Sequence, residues 1–120
     1  MTLTKPQILV VDDSPVIMRI IEVTLRETAD VTLCEDPRQA LQLGLAREWD
    51  LAIVDLAMPA LSGLELAARW REQGARHPVV VLSGYEQPED GLPEGVAVWV
   101  VKPFTPADLR QLVGRFTRTA

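Results

Sequence analysis

The feature that most limits what this chain can fold into is a rhythm. Five short apolar runs, at residues 8–11, 31–34, 51–54, 79–82 and 96–101, are separated by segments with helical spacing. Most runs are near-continuously hydrophobic and rich in β-branched residues, which suits strands buried on both faces of a parallel sheet. The last intervening pattern is the clearest helix, with Leu109, Leu112, Val113 and Phe116 at i, i+3, i+4 and i+7. Strand then helix, five times over, predicts an α/β fold: a doubly wound five-stranded parallel sheet, (βα)5, helices on both faces.

Helix starts are marked by side chains able to accept a bond from an unpaired backbone N–H. Ser14 with Pro15, Asp36 with Pro37 and Gln39, Ser62 with Glu65, and Thr105 with Pro106 and Asp108 all fit this chemistry. Gly74 is placed to end the third helix in a left-handed conformation. One segment breaks the rhythm. Residues 85–95 read YEQPEDGLPEG, and Leu92 is their only aliphatic anchor. A full fourth helix there would have no face to bury, so the expectation is a short or distorted helix, or an irregular loop, and the least stable part of the domain.

With 120 residues, 48% hydrophobic and 24% charged, the chain has the size and balance of one globular domain, residues 1–120. A formal net charge of −5 argues against nucleic-acid binding through phosphates and against attraction to anionic lipid. No apolar run suggests a leader peptide or a membrane span, so a cytoplasmic location is expected. Cys34, the single cysteine, reads as a buried packing residue, and the single His77 as a solvated loop residue. Together they supply no zinc-ligand set.

In an open parallel sheet, ligands collect beyond the carboxyl ends of the strands, near the point where strand order reverses. Asp12 and Asp13 follow the first run, Asp55 ends the third, Ser83 and Gly84 follow the fourth, and Lys102 and Pro103 follow the fifth. With strand order 2-1-3-4-5 the second strand lies at an edge and the four polar ends become neighbours. Carboxylates about 4–5 Å apart at an effective dielectric near 20 repel by roughly 3–4 kcal/mol per pair. Relief comes from a raised carboxyl pKa or from a divalent cation with oxygen ligands, and Mg²⁺ fits best, since it takes few carboxylates, retained waters and a substrate phosphate.

The runs ILVVDDSP and LAIVDLAMP, the pair Ser83 and Gly84 after VVVL, and VVKPF resemble the response-regulator receiver family of two-component signalling, across the whole chain. The resemblance implies that Asp55 accepts a phosphoryl group from a sensor histidine kinase or histidine phosphotransfer protein, catalysing only its own modification. It implies Mg²⁺ held by Asp13, Asp55 and the backbone carbonyl of Ala57, with Asp12 acting directly or through a water and Lys102 neutralising phosphoryl charge. Ser83 would bond a phosphoryl oxygen and draw the next loop inward, and Trp99 stands where the family carries an aromatic switch residue. Lys102 and Pro103 resemble the family's cis peptide. Trp49 and Trp70 read as packing residues.

Ala57, two past Asp55, and Tyr85, two past Ser83, stand where members of that family vary and where polar side chains can position the hydrolytic water. An alanine side chain cannot orient water, which suggests slow loss of the phosphoryl group. The weakened segment 85–95 is a further departure, since the family commonly signals through that face. A competing reading is a receiver-like interaction module that works without phosphorylation. A small phosphohydrolase is disfavoured, because no second acid lies two residues after Asp55.

Overall fold

The structure is a computed structural model that describes residues 5–116. The first four and last four residues of the expected 1–120 domain lie outside that range. The elements are β1 (Gln7–Val11), α1 (Pro15–Leu25), β2 (Asp30–Cys34), α2 (Pro37–Ala46), β3 (Leu51–Asp55), α3 (Gly63–Glu72), β4 (Val79–Ser83), β5 (Val96–Val101) and α4 (Pro106–Phe116). All five strands are parallel, in the order β2-β1-β3-β4-β5. The expected sheet is therefore present, with β2 at one edge and β5 at the other.

Strand alternation divides the interior into two cores. Ile8, Val10, Ile53, Val80 and Leu82 face α1 and α4, meeting Met18, Ile21, Leu25, Leu109, Leu112 and Val113. Leu9, Val11, Ala52, Val54, Val79 and Val81 face α2 and α3. Because both sets are buried, the strands had to be hydrophobic along their length rather than alternating.

The helix starts lie where their side chains require. Ser14 Oγ accepts from the Ile17 N–H at 3.3 Å. Asp36 accepts from Arg38 N–H at 2.9 Å rather than from Gln39. Ser62 and Glu65 form a reciprocal capping box at 3.2 and 3.3 Å. Thr105 and Asp108 do the same, both at 3.0 Å. Gly74 has φ +90°, ending α3 as expected.

Trp70 and Trp49 are packing residues that also tie down α2. Their indole N–H groups donate to the Leu41 and Leu43 carbonyls at 3.2 and 2.9 Å, which satisfies the one polar atom each ring buries. Cys34 is buried, its thiol donating to the Asp36 carbonyl at 3.1 Å.

His77 does not lie on a solvated loop. Only 7% of it is exposed, and its ring meets Trp70 edge-on with centroids 4.7 Å apart. The turn between α3 and β4 folds beneath the end of α3, where Trp70 offers an apolar ring. Nε2 has no hydrogen-bond partner among the described residues, and burial, with a smaller contribution from the Arg71 charge, pushes the imidazole pKa down to about 4.

Between β4 and β5 the chain forms no helix. Residues 84–95 are turns and irregular backbone, closed by bonds from Gly91 N–H to the Pro88 carbonyl and from Val96 N–H to the Pro93 carbonyl. Of the outcomes the sequence allowed, the irregular one is adopted. Leu92, its aliphatic anchor, is 42% exposed.

Candidate functional site

Strand order brings the polar strand ends together. β1, β3, β4 and β5 are successive neighbours, so Asp12, Asp55, Ser83 and Lys102 line one edge of the sheet. Asp55 pairs with Leu82, and Ser83 with Val101, so these ends lie nearly level. Each side chain emerges where its strand's ladder stops, anchored on the buried side by apolar residues.

Asp12, Asp13 and Asp55 each offer a carboxylate oxygen, and these atoms lie within 4.8 Å of one another. Asp13 is exposed, whereas Asp12 and Asp55 are buried, at 1% and 6% exposure. Asp12 Oδ1 accepts the Ser14 N–H at 2.8 Å, while its buried Oδ2 has no hydrogen-bond partner among the described residues. Burial raises the Asp12 pKa to about 6; the Ser14 N–H opposes that rise, the Asp55 charge adds to it and Lys102 opposes it. A buried carboxylate with an orphaned oxygen, beside two more acids, is a donor set that fits a hard divalent cation.

Lys102 reaches this group from the end of β5. Its Nζ donates to Asp55 Oδ1 at 2.7 Å. Its own N–H bonds the Ser83 carbonyl at 2.7 Å, continuing the β4–β5 ladder one step, and its peptide bond to Pro103 is cis, as the resemblance implied.

Ser83 is 1% exposed and its Oγ accepts the Tyr85 N–H at 2.9 Å. The Tyr85 carbonyl in turn accepts the indole N–H of Trp99 at 2.8 Å. Ser83 and Trp99 are thereby linked through the backbone of one residue. Tyr85 as that link was not legible in the sequence, because main-chain atoms carry no sequence signal. Its own side chain is 75% exposed.

Two other residues that shape the site were missed. Gly63 packs so closely on the Asp55 carbonyl that an added methyl would overlap it, and its N–H closes the intervening turn on the Leu56 carbonyl at 3.0 Å. A glycine just inside a strong capping box was the available clue. Ala60, in the same turn, has φ +71°, a conformation that ordinarily selects glycine. Ala57 is exposed on this turn.

The family described as response regulator receiver domain matches residues 8–114, and the chain belongs to it. An uncharacterised 14.6 kDa protein of Leptolyngbya boryana is 37% identical over 122 residues, covering 96% of this chain and 92% of that one. Response regulator ArlR of Staphylococcus aureus is 32% identical over 113 residues, 91% of this chain but 50% of its own length, so this chain spans about half of that relative. Among solved structures, the receiver domain of the Francisella response regulator 1452 matches with a TM-score of 0.88 at 30% identity, covering 95% of this chain and 98% of that one. The receiver domain of sensor histidine kinase PA1611 from Pseudomonas aeruginosa, solved with a magnesium ion coordinated in its active-site cleft, matches with a TM-score of 0.84 at 26% identity, covering 97% and 100%. Receiver domains are signalling phosphoacceptors rather than enzymes with a separate substrate, and phosphoryl acceptance is their general function. No helix among the described residues is long and apolar enough to cross a membrane.

Proposed function

We propose that Asp55 of this chain accepts a phosphoryl group in a Mg²⁺-dependent reaction and that the event is read through Ser83, Tyr85 and Trp99. The observation that carries this reading is the 2.7 Å contact of Lys102 Nζ with Asp55 Oδ1, made beside two further acids whose oxygens lie within 4.8 Å. Folding alone gains little from three crowded carboxylates, two of them buried.

The donor is a phosphohistidine on a sensor kinase or phosphotransfer protein. An Asp55 carboxylate oxygen attacks phosphorus; the O–P bond forms as the N–P bond breaks, and the imidazole nitrogen leaves with the bonding pair. Asp12, Asp13, Asp55 and the Ala57 carbonyl would hold Mg²⁺. Bound there, the ion supplies Lewis-acid neutralisation of phosphoryl charge. Lys102, already on Asp55, adds a fixed positive charge to the same region, so that catalysis is largely positioning and electrostatics.

Ser83 Oγ accepts one bond from Tyr85, which leaves its proton available to a phosphoryl oxygen. Movement of Ser83 toward that oxygen pulls Tyr85, and through the Tyr85 carbonyl it disturbs Trp99. The reading assigns residues 1–120 to one cytoplasmic receiver domain whose changed shape is recognised by an output protein. The irregular residues 84–95 favour one alternative, a receiver-like module that binds its partner without phosphorylation.

Intact-mass spectrometry after incubation with acetyl phosphate and Mg²⁺ tests the reading. One added phosphoryl group, lost in Asp55→Asn and in a chelated sample, is the expected result. No addition to folded protein with Mg²⁺ bound would overturn it in favour of the alternative.

A further inference from the structure

The doubly wound sheet is incompletely covered. On the α1 and α4 side, Val98 and Val100 of β5 pack against the core with Phe104. On the opposite side, among the described residues, the two helices are α2 and α3, and the chain that would supply a third over β5 is the irregular segment 84–95. Its prolines and glycines leave it unable to form that helix. Ala97 and Val101 are consequently exposed on this face, Val101 at 43%, and Trp99 between them is half-buried. At the two ends of the segment, Tyr85 holds the Trp99 indole through its carbonyl, and Gly95 lies against the Ala67 carbonyl of α3. The segment thus borders an apolar strip without roofing it.

The border is charged with one sign. Residues 84–95 carry Glu86, Glu89, Asp90 and Glu94 and no lysine or arginine, and all four acids are exposed. None of the four is in a salt bridge among the described residues. A second copy of this chain would bring the same acidic border and another net charge of −5 to the contact, so self-pairing is disfavoured.

We propose that this strip is a docking site for an amphipathic helix of a partner protein, with an apolar face for Ala97, Trp99 and Val101 and Lys or Arg along its flanks. The six-residue β5 is roughly 20 Å long, which a helix of about 14 residues matches. The partner's helix takes the layer that the chain's own fourth connection leaves open, and its basic flanks meet the acidic border. Docking of this kind needs no phosphoryl group, so its test is separate from that of the phosphoacceptor reading.

The probes are two capped peptides of about 14 residues with one helical Leu stripe, one bearing Lys and the other Glu at the remaining positions. Each is titrated into the whole isotope-labelled chain and followed by amide and indole NMR signals at physiological salt. Trp99→Phe assigns the Trp99 indole signal. The expected result is saturable shifts of Trp99, Ala97 and Val101 with the Lys peptide and none with the Glu peptide. The fourfold variant E86K/E89K/D90K/E94K, altered only at exposed positions, should bind the Lys peptide about tenfold or more weakly. Equal response to both peptides, shifts centred elsewhere, or unchanged affinity in the fourfold variant would overturn the proposal. So would concentration-dependent self-association that protects the same residues, which would assign the strip to a second copy.

Discussion

Ser83 and Trp99 hold Tyr85 from opposite sides of its backbone, the serine hydroxyl on its N–H at 2.9 Å and the indole on its carbonyl at 2.8 Å. A residue sharing a buried hydroxyl and a half-buried ring transmits displacement from one to the other. Ser83→Ala should therefore leave Asp55 able to accept a phosphoryl group while uncoupling Trp99. The check is the Trp99 indole NMR signal before and after phosphorylation: it should move in the parent chain and stay in place in the variant. An equal shift in both would mean that Trp99 responds by another route.

Among the described residues, Lys102 makes the side-chain hydrogen bond to Asp55, at 2.7 Å. Lys102→Ala removes a charge-assisted contact at a buried carboxylate and the fixed positive charge available to the phosphoryl oxygens. Transfer from acetyl phosphate should slow by about a hundredfold or more, in line with the loss of one electrostatic group at a transition state. Mg²⁺ binding should survive. A rate within about twofold of the parent would remove Lys102 from the catalytic set.

Two buried groups give opposing pH dependences. His77 titrates at about 4 in the folded chain against 6.5 for an ordinary imidazole, so the unfolded chain binds the extra proton first and stability falls as pH drops from 6.5 to about 4. The difference corresponds to roughly 3 kcal/mol. Asp12, raised from 3.8 to about 6, acts in the other direction: the folded chain binds its proton first, and stability rises as pH falls through 6 toward 3.8. The two offset each other between about 4 and 6. Asp12→Asn should leave only the His77 dependence, giving a variant more stable at pH 7 and more steeply weakened by acid, as read from urea unfolding in chelator at a series of pH values.

The same carboxyl sets a pH limit on the metal. Protons and Mg²⁺ compete for Asp12, so Mg²⁺ affinity should fall as pH drops below about 6. Titration calorimetry at pH 5 and 7.5 checks this; equal affinities would show that Asp12 does not hold the ion.

The turn after Asp55 offers two tests of backbone geometry. Ala60 at φ +71° should gain about 1 kcal/mol of stability on replacement by Gly, which carries no Cβ penalty there. Gly63→Ala should cost about 1–3 kcal/mol, because the new methyl displaces the Asp55 carbonyl. It should also slow phosphoryl acceptance. Urea unfolding with acetyl phosphate kinetics on the same samples separates the two effects.

The five strands, their shared direction and the ends of the helices were legible in the sequence because each rests on local chemistry. Valine-rich runs are buried on both faces, and Ser14, Asp36, Ser62 and Thr105 satisfy backbone groups a few residues away. The acids and the lysine were legible as a set because a parallel sheet delivers every strand end to one edge. Even the missing fourth helix was foreshadowed by the prolines and glycines of residues 85–95. Tertiary packing decided the rest. His77 is buried because the turn before β4 passes under Trp70, a contact between residues seven apart that no local pattern encodes. Asp12 became the strained acid, with one oxygen bonded and one orphaned, because burial distinguishes it from its exposed neighbour Asp13. The Lys102 contact with Asp55 joins residues 47 positions apart, and the Ser83–Tyr85–Trp99 link runs through main-chain atoms. Periodicity and capping are local and can be read from side-chain type; burial, desolvation and long-range bonds depend on which surfaces meet.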